Sequence, residues 1–294
     1  MSQTKARKPA FYISPLKNNI SGALELTVNL KYKNIGIVAD KSKNAQEALK
    51  ALKKKYDLTK LSEAPNDAKY CQNVDVIIAL GGDGFMLHTL HYYMDCGIPI
   101  YGMNRGTVGF LMNEYKEDDL SERLENAGDN IIHPLKMTAA CKDGKIHEEL
   151  AVNEVSLLRQ TKQAAKIKVI IDGNEQIEEM VCDGVLVATP AGSSAYNFST
   201  GGPILPIKSN LLALTPISPF RPRRWGGALL PKSACIRFEV QKQHKRPVNA
   251  VADFFEVEDV SYVEIQEDTS KRIHLLFDKG HSLEERILRE QFTL

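Results

Sequence analysis

Val74-Asp-Val-Ile-Ile-Ala-Leu-Gly-Gly-Asp-Gly84 decides the fold, because an unbroken apolar run ends there in a glycine turn. Val76 to Leu80 has the composition of a strand buried on both faces. Phe85 to Met94 then carries a helix-like apolar pattern, so the turn lies where a strand hands over to a helix. Gly81, Gly82 and Gly84 give the backbone freedom to take positive φ and leave no side chains above it. A phosphate could approach their main-chain N–H groups at a helix N-terminus, a favourable place for anions. The one functional side chain, Asp83, repels phosphate and is suited instead to hold a cation or to accept a proton from a hydroxyl. Together these features point to phosphoryl transfer onto an alcohol. The competing reading is a tight strand-to-helix turn with no ligand.

Working outward, Asn34 to Ala39 reads as a first strand, and Asn44 to Tyr56 as a helix with Ala45, Ala48, Leu49 and Leu52 on one face. Ile98 to Tyr101 is a third strand leading into Gly102-Met-Asn-Arg-Gly-Thr-Val-Gly-Phe-Leu111. Alternating strands and helices predict a parallel, Rossmann-like sheet, whose ligands sit at the carboxyl ends of the strands. Asn104, Arg105 and Gly106 would then form a second wall of the phosphate site. Alternatively the segment is a structural loop anchored by Phe110 and Leu111, with Arg105 solvated.

After His133-Pro134 the segments are short and rich in Val, Ile and Leu: Met137 to Cys141, Glu149 to Leu158, Ile167 to Ile171, Gly184 to Ala188, Cys235 to Val240, Pro247 to Val251 and Ser261 to Ile265. Asp143-Gly144 and Asp172-Gly173 mark turns between them. The pattern is all-β and sandwich-like. The expected organisation is an N-terminal extension over 1–30, an α/β domain over 31–133, a β-rich ligand-binding domain over 134–278, and a helix over 279–294 packing back on the α/β domain. Such a split favours a site between the two parts.

The chain has 294 residues, 43% hydrophobic content and a net charge of +1. That balance gives no general attraction to nucleic acid or a membrane surface. The longest apolar runs are too short to span a bilayer, and no apolar stretch follows Arg7 as in a secretory signal. Cys71, Cys96, Cys141, Cys182 and Cys235 are odd in number and scattered, with no Cys-x-x-Cys pair. They read as free thiols of a cytoplasmic protein. The seven histidines show no metal-ligand spacing, so no protein-held metal site is expected.

Two further constellations carry chemistry. Asn153-Glu154 interrupts the apolar alternation of Ala151, Val152, Val155 and Leu157. Neighbouring side chains of a strand face opposite ways, so one of the pair turns inward and needs a partner. That partner is either the fold's own backbone, or ribose hydroxyls or a base edge. Cys182 to Tyr196 runs from a strand into Thr189-Pro-Ala-Gly192 and a small-residue stretch. Hydroxyls at Ser193, Ser194 and Ser199 suit sugar and amide groups, and Tyr196 offers a ring for a base. Arg221, Arg223 and Arg224 beside Trp225 form a basic loop that would hold phosphates, make a subunit contact or simply be solvated. Asp253 ends a strand-like run and says little alone. Neither a P-loop, a Gly-x-Gly-x-x-Gly fingerprint nor protein-kinase signatures occur.

Four blocks in this order resemble the NAD kinase family: Gly81-Gly-Asp-Gly84, Gly102-x-Asn-x-Gly-x-x-Gly-Phe-Leu111, Asn153-Glu154, and Asp183-Gly through Thr189-Pro-Ala-Gly-Ser-Ser-Ala-Tyr196. The likeness runs from about Ile35 to the C-terminus. Gly-Gly-Asp-Gly alone is shared with phosphofructokinases and lipid kinases; the third and fourth blocks are more specific. The resemblance implies NAD bound between the two parts, near an interface of a homo-oligomer (dimer or tetramer). It implies transfer from ATP or polyphosphate to the adenosine-ribose 2′-hydroxyl, with Asp83 as the proton acceptor. Gly84, His88, Asn153, Glu154, Asp183, Ala191, Ser194, Ala195, Tyr196, Asn197, Phe198 and Ser199 would contact the dinucleotide. The family usually shows Thr where Ala191 and Ser194 stand, so Ala191 lacks a hydroxyl. Mg²⁺ would bridge the donor's phosphates. A lipid or sugar kinase sharing the glycine turn, or a non-catalytic dinucleotide sensor, are the competing functions.

Overall fold

The structure is a computed structural model that describes residues 31–62, 71, 73–106 and 109–280. The expected extension over 1–30 and the helix expected after residue 280 lie outside the described residues. The first part alternates strand and helix: β1 (Ile35–Ala39), α1 (Lys43–Lys55), β2 (Leu58–Lys60), β3 (Val76–Gly81), α2 (Asp83–Tyr93), β4 (Ile100–Asn104), α3 (Leu120–Asn126) and β5 (Gly128–Ile132). Next come β6 (Leu135–Cys141), β7 (Ile146–Ala151), β8 (Glu154–Arg159), β9 (Ala165–Ile171), β10 (Asn174–Cys182), β11 (Gly184–Ala188) and a short α4 (Tyr196–Ser199). β12 (Leu211–Ile217), β13 (Ala228–Pro231), β14 (Ile236–Val240), β15 (Val248–Ala252), β16 (Phe255–Val257), β17 (Val260–Glu267) and β18 (Ile273–Phe277) complete the described chain.

The first sheet has the order β2-β1-β3-β4-β18-β5 and is parallel except for the β18–β5 pair. Its centre is β3, buried along its whole length. Period-two alternation sends Ile77 and Ala79 into one apolar cluster and Val76, Ile78 and Leu80 into another. Both faces are covered, as a parallel sheet requires. The helix α1 packs Ala45, Ala48, Leu49 and Leu52 against it, the face read from the sequence. The structure corrects one strand assignment. β18, inside the range 134–278 given to the β-rich domain, lies in the α/β sheet between β4 and β5.

Two antiparallel sheets, β10-β9-β14-β17-β6-β7 and β13-β12-β11-β8-β15-β16, pack face to face. Ile167, Val169, Phe238 and Val263 from one meet Val155, Leu157, Val185 and Leu214 from the other in one cluster. This is the expected sandwich. The α/β and sandwich parts belong to one compact unit. An apolar cluster bridges them: Met86 and Leu90 of α2 share it with Val152 and Ala191.

The cysteine reading is also corrected. Cys71 and Cys96, 25 residues apart, form a disulfide with their Cα atoms 6.0 Å apart, while Cys141, Cys182 and Cys235 are free. The β3–α2 unit folds back on itself and brings these two scattered cysteines together, which spacing alone does not reveal. No helix among the described residues is long and apolar enough to cross a membrane.

Candidate active site

The glycine turn opens α2, with Gly82 as N-cap and Asp83 as first helical residue. Its glycines serve a different purpose from the one expected, since Gly81, Gly82 and Gly84 all keep negative φ. Gly82 is simply extended, at φ −109° and ψ −175°. What the turn requires is the absence of side chains. A Cβ on Gly81 would lie 2.7 Å from the Phe85 ring, and one on Gly106 would lie 3.3 Å from the Cα of Gly82. Two glycine backbones thus face each other. Gly84 is exposed, and a Cβ there would have no protein atom within 4 Å.

The segment after Ile98 is more ordered than a loop. Strand β4 runs through Gly102 to Asn104, where a Cβ on Gly102 would lie 2.6 Å from the Met112 sulfur. The N–H of Arg105 donates to the Gly81 carbonyl at 2.7 Å, and the N–H of Gly106 to Asn104 Oδ1 at 2.8 Å. The Arg105 guanidinium lies over the Tyr115 ring at 4.3 Å and donates to the Asn44 carbonyl at 3.2 Å. The second wall therefore presents main chain, with its arginine engaged beside α1. Asp83 ties the two turns together, accepting the N–H groups of Phe110 at 2.7 Å and Leu111 at 3.0 Å.

The Asn153–Glu154 pair sits at the entry of β8, with Asn153 just before the strand. Three features hold it. The N–H of Thr189 donates to the Asn153 carbonyl at 2.9 Å, and Thr189 Oγ1 donates to the Val152 carbonyl at 2.7 Å. Gly192 lies flat on Asn153, since a Cβ there would fall 2.2–2.4 Å from Asn153 main-chain atoms. Asp253, in the turn between β15 and β16, accepts the N–H groups of Val152, Asn153 and Glu154 at 2.6, 3.0 and 3.2 Å. Asn153 Oδ1 and Glu154 Oε2 are nonetheless buried with no hydrogen-bond partner. Burial, reinforced by the Asp253 charge, pushes the Glu154 carboxyl up to about 8, so it stays protonated at neutral pH.

The small-residue block divides. Ala191 is buried against α2. The hydroxyl of Ser193 is spent internally, donating to the Pro190 carbonyl at 2.7 Å and accepting the Leu205 N–H at 2.9 Å. Asn197 departs from its expected contact role. Its amide donates to the Ser193 and Pro203 carbonyls and accepts the Thr215 hydroxyl at 2.6 Å, so the whole side chain is used inside the fold. Ser194, Ala195 and Tyr196 are half-buried, and Phe198 and Ser199 exposed. Burial first, then the charges of Glu154 and Asp183, raise the Tyr196 hydroxyl.

Asp183 is separated from Glu154 along β11, though its charge still reaches Tyr196. The β8–β11 register pairs Ala188 with Glu154 and Gly184 with Leu158, so Asp183 lies at the far end of β11. There it bonds Arg159 at 2.5 Å. The basic loop begins near the same end, where Arg221 and Arg223 flank the exposed Phe220 ring at 5.7 and 5.8 Å. His88 packs its ring 4.1 Å from that of Phe254. Sequence reasoning missed His91, which bonds Asp253 at 2.7 Å, and undervalued Asp253 itself. The signal was a lone Asp at a strand end and a His two helical turns past Asp83, neither informative without the fold.

Comparison with known proteins gives one consistent result. Residues 13–129 match the ATP-NAD kinase N-terminal domain and residues 152–267 the ATP-NAD kinase C-terminal domain. An NAD kinase of Cereibacter sphaeroides is 56% identical over 259 residues, covering 88% of this chain and 98% of that protein. One from Caulobacter vibrioides is 60% identical over 222 residues, 76% of this chain and 85% of its own. An Archaeoglobus fulgidus NAD kinase in complex with ATP superimposes with a TM-score of 0.68 at 26% identity, covering 88% of this chain and 97% of that one. Yeast NADH kinase complexed with NADH shares the fold, with a TM-score of 0.72 at 20% identity over 88% of this chain and 86% of its own.

Proposed function

The chain belongs to the NAD kinase family, and from that premise we propose how its residues move a phosphoryl group from ATP to the 2′-hydroxyl of the adenosine ribose of NAD. Asp83 orients the hydroxyl and takes its proton as the oxygen bonds to the γ-phosphorus, while ADP departs with the electrons of the broken P–O bond. The glycine backbone at the mouth of α2, where a Cβ on Gly84 would meet no protein atom within 4 Å, is where the donor's phosphates would approach. Asn153 and Glu154 hold the ribose and adenine, Tyr196 stacks on a ring, and Ser194 and Ser199 supply hydroxyls.

The observation that carries this reading is the pair of partnerless buried atoms, Asn153 Oδ1 and Glu154 Oε2. Leaving such groups unsatisfied costs about 1–3 kcal/mol each. A nucleoside supplies the missing half: a hydroxyl or amine donates to Asn153, and a protonated Glu154 donates to a ring nitrogen or a hydroxyl oxygen.

No group of three or more His, Cys, Asp or Glu side chains among the described residues is placed to hold a metal. Such a lining suits Mg²⁺, a cation that commonly needs few protein ligands when substrate phosphates are bound. The ion would arrive with the donor nucleotide, and Asp83 would keep its role toward the hydroxyl proton. The ion's chemistry there would be to offset charge on the transferring phosphates. A homo-oligomer, dimer or tetramer, belongs to the same proposal and is read by sedimentation equilibrium. So does residence in the cytoplasm, alongside these substrates.

The test is NADP formation from NAD, with ATP or polyphosphate as donor and with or without Mg²⁺. Turnover with ATP and Mg²⁺ is expected. Thermal stabilisation by NAD with no NADP from any donor would make the protein a sensor, and stabilisation by lipid but not NAD would make it a lipid kinase.

A further inference from the structure

His91 and Asp253 are 162 residues apart, yet Nε2 of one lies 2.7 Å from Oδ2 of the other. The imidazole is 9% exposed and the carboxylate 0%. A carboxylate only accepts, so Nε2 carries the hydrogen. With the N–H groups of Val152, Asn153 and Glu154, Asp253 receives four donors. A carboxylate has about four lone-pair sites, so these donors fill it. Asp253 also donates its own N–H to the Glu154 carbonyl at 3.1 Å. Its φ of +53° is one that Asp tolerates. The residue is a clamp on three successive amides. Its one side-chain tie to α2 is His91, whose ring is packed by Phe254 at 4.8 Å and Phe255 at 5.7 Å. Those rings keep water from the bond and strengthen it.

We infer that His91 is a positioning residue: through Asp253 it fixes the Asn153–Glu154 entry of β8 against the helix that begins at Asp83. The group holding the acceptor ribose and the group taking its proton then keep one spacing. The inference rests on the proposed role of Asn153 and Glu154 toward NAD.

The experiment compares His91→Phe, which keeps a ring and loses the donor, with His91→Gln, whose amide can still donate. Amide hydrogen exchange at 152–154, KM and kcat for NAD, KM for ATP and the thermal midpoint are measured on the full chain. For His91→Phe, exchange at 152–154 should accelerate at least tenfold and kcat/KM for NAD should fall about tenfold. The ATP KM should stay within twofold, and His91→Gln should recover both losses to within threefold. Equal deficits in the two variants, unchanged exchange in His91→Phe, or NAD and ATP parameters falling together would overturn the inference. Hydrogen exchange needs no activity, so it decides this point even if the wild-type chain makes no NADP, an outcome that would sink the kinase reading alone.

Discussion

Asp83 and Asp253 use one device for opposite ends. Each is an aspartate that accepts main-chain N–H groups from a distant segment. Asp83 accepts the N–H groups of Phe110 and Leu111 at the half-buried mouth of a helix, beside the exposed Gly84. Asp253 takes three, plus an imidazole, with its carboxylate fully buried. In the proposed reaction the first is the group that meets substrate, whereas the second, its lone-pair sites filled, holds structure. On that proposal, where a carboxylate sits separates a reacting group from a clamp.

Several substitutions would break or sharpen that contrast. Asp83→Asn has the largest expected effect on rate, slowing turnover by about 10²–10⁴-fold, as loss of a general base does, with the midpoint lowered by only about 2–4 °C because the amide oxygen still accepts one of the Phe110 and Leu111 N–H groups. Asp253→Ala should do the reverse first. It leaves three amide donors buried and unpaired, which costs about 3 kcal/mol or more and lowers the midpoint by about 6–12 °C in a chain of this size. A midpoint within 2 °C (roughly 1 kcal/mol or less) would mean that Asp253 is not a clamp. Gly192→Ala pushes a methyl into the Asn153 main chain. It should cost about 1–3 kcal/mol and weaken NAD binding while sparing ATP.

The last effect is a pH dependence, visible only when stability is followed across the pH range. Glu154 titrates near 8 in the fold against an ordinary 4.5, so the folded chain keeps a proton that the unfolded chain releases between those values. The stability this group contributes is full below 4.5 and is lost as pH rises through about 8. Glu154→Gln removes that loss. Its midpoint, relative to wild type, should rise from acid to alkaline pH, reflecting up to about 5 kcal/mol of stability at about 1.4 kcal/mol per pKa unit. A difference independent of pH would mean that Glu154 ionises normally.

What the sequence revealed was local. Val76 to Leu80, the apolar face of α1 and the Thr189–Gly192 turn all follow from periodicity and turn chemistry within a dozen residues. What it hid depends on distant segments meeting. Nothing in Ile273–Phe277 distinguishes a sandwich strand from one that returns between β4 and β5. β12 is missing from the strands expected, since Pro216 inside it argues against a strand, yet Pro216 sits opposite Val185 in the sheet. Asn197 entered as a ligand contact only through the resemblance; tertiary packing shows its amide turned inward to Thr215. The His91–Asp253 bond and the Cys71–Cys96 disulfide are of the same kind: the residues are plain to see, but not their proximity.

The most direct test of the division between reacting group and clamp is calorimetric NAD binding to Asp83→Asn, measured beside its turnover with ATP and Mg²⁺. The account predicts an NAD Kd within about threefold of wild type, a change of less than about 1 kcal/mol, together with loss of at least about 10² in kcat. Turnover within about tenfold of wild type, well short of that loss, would contradict it, as would a fall in affinity as large as the fall in rate.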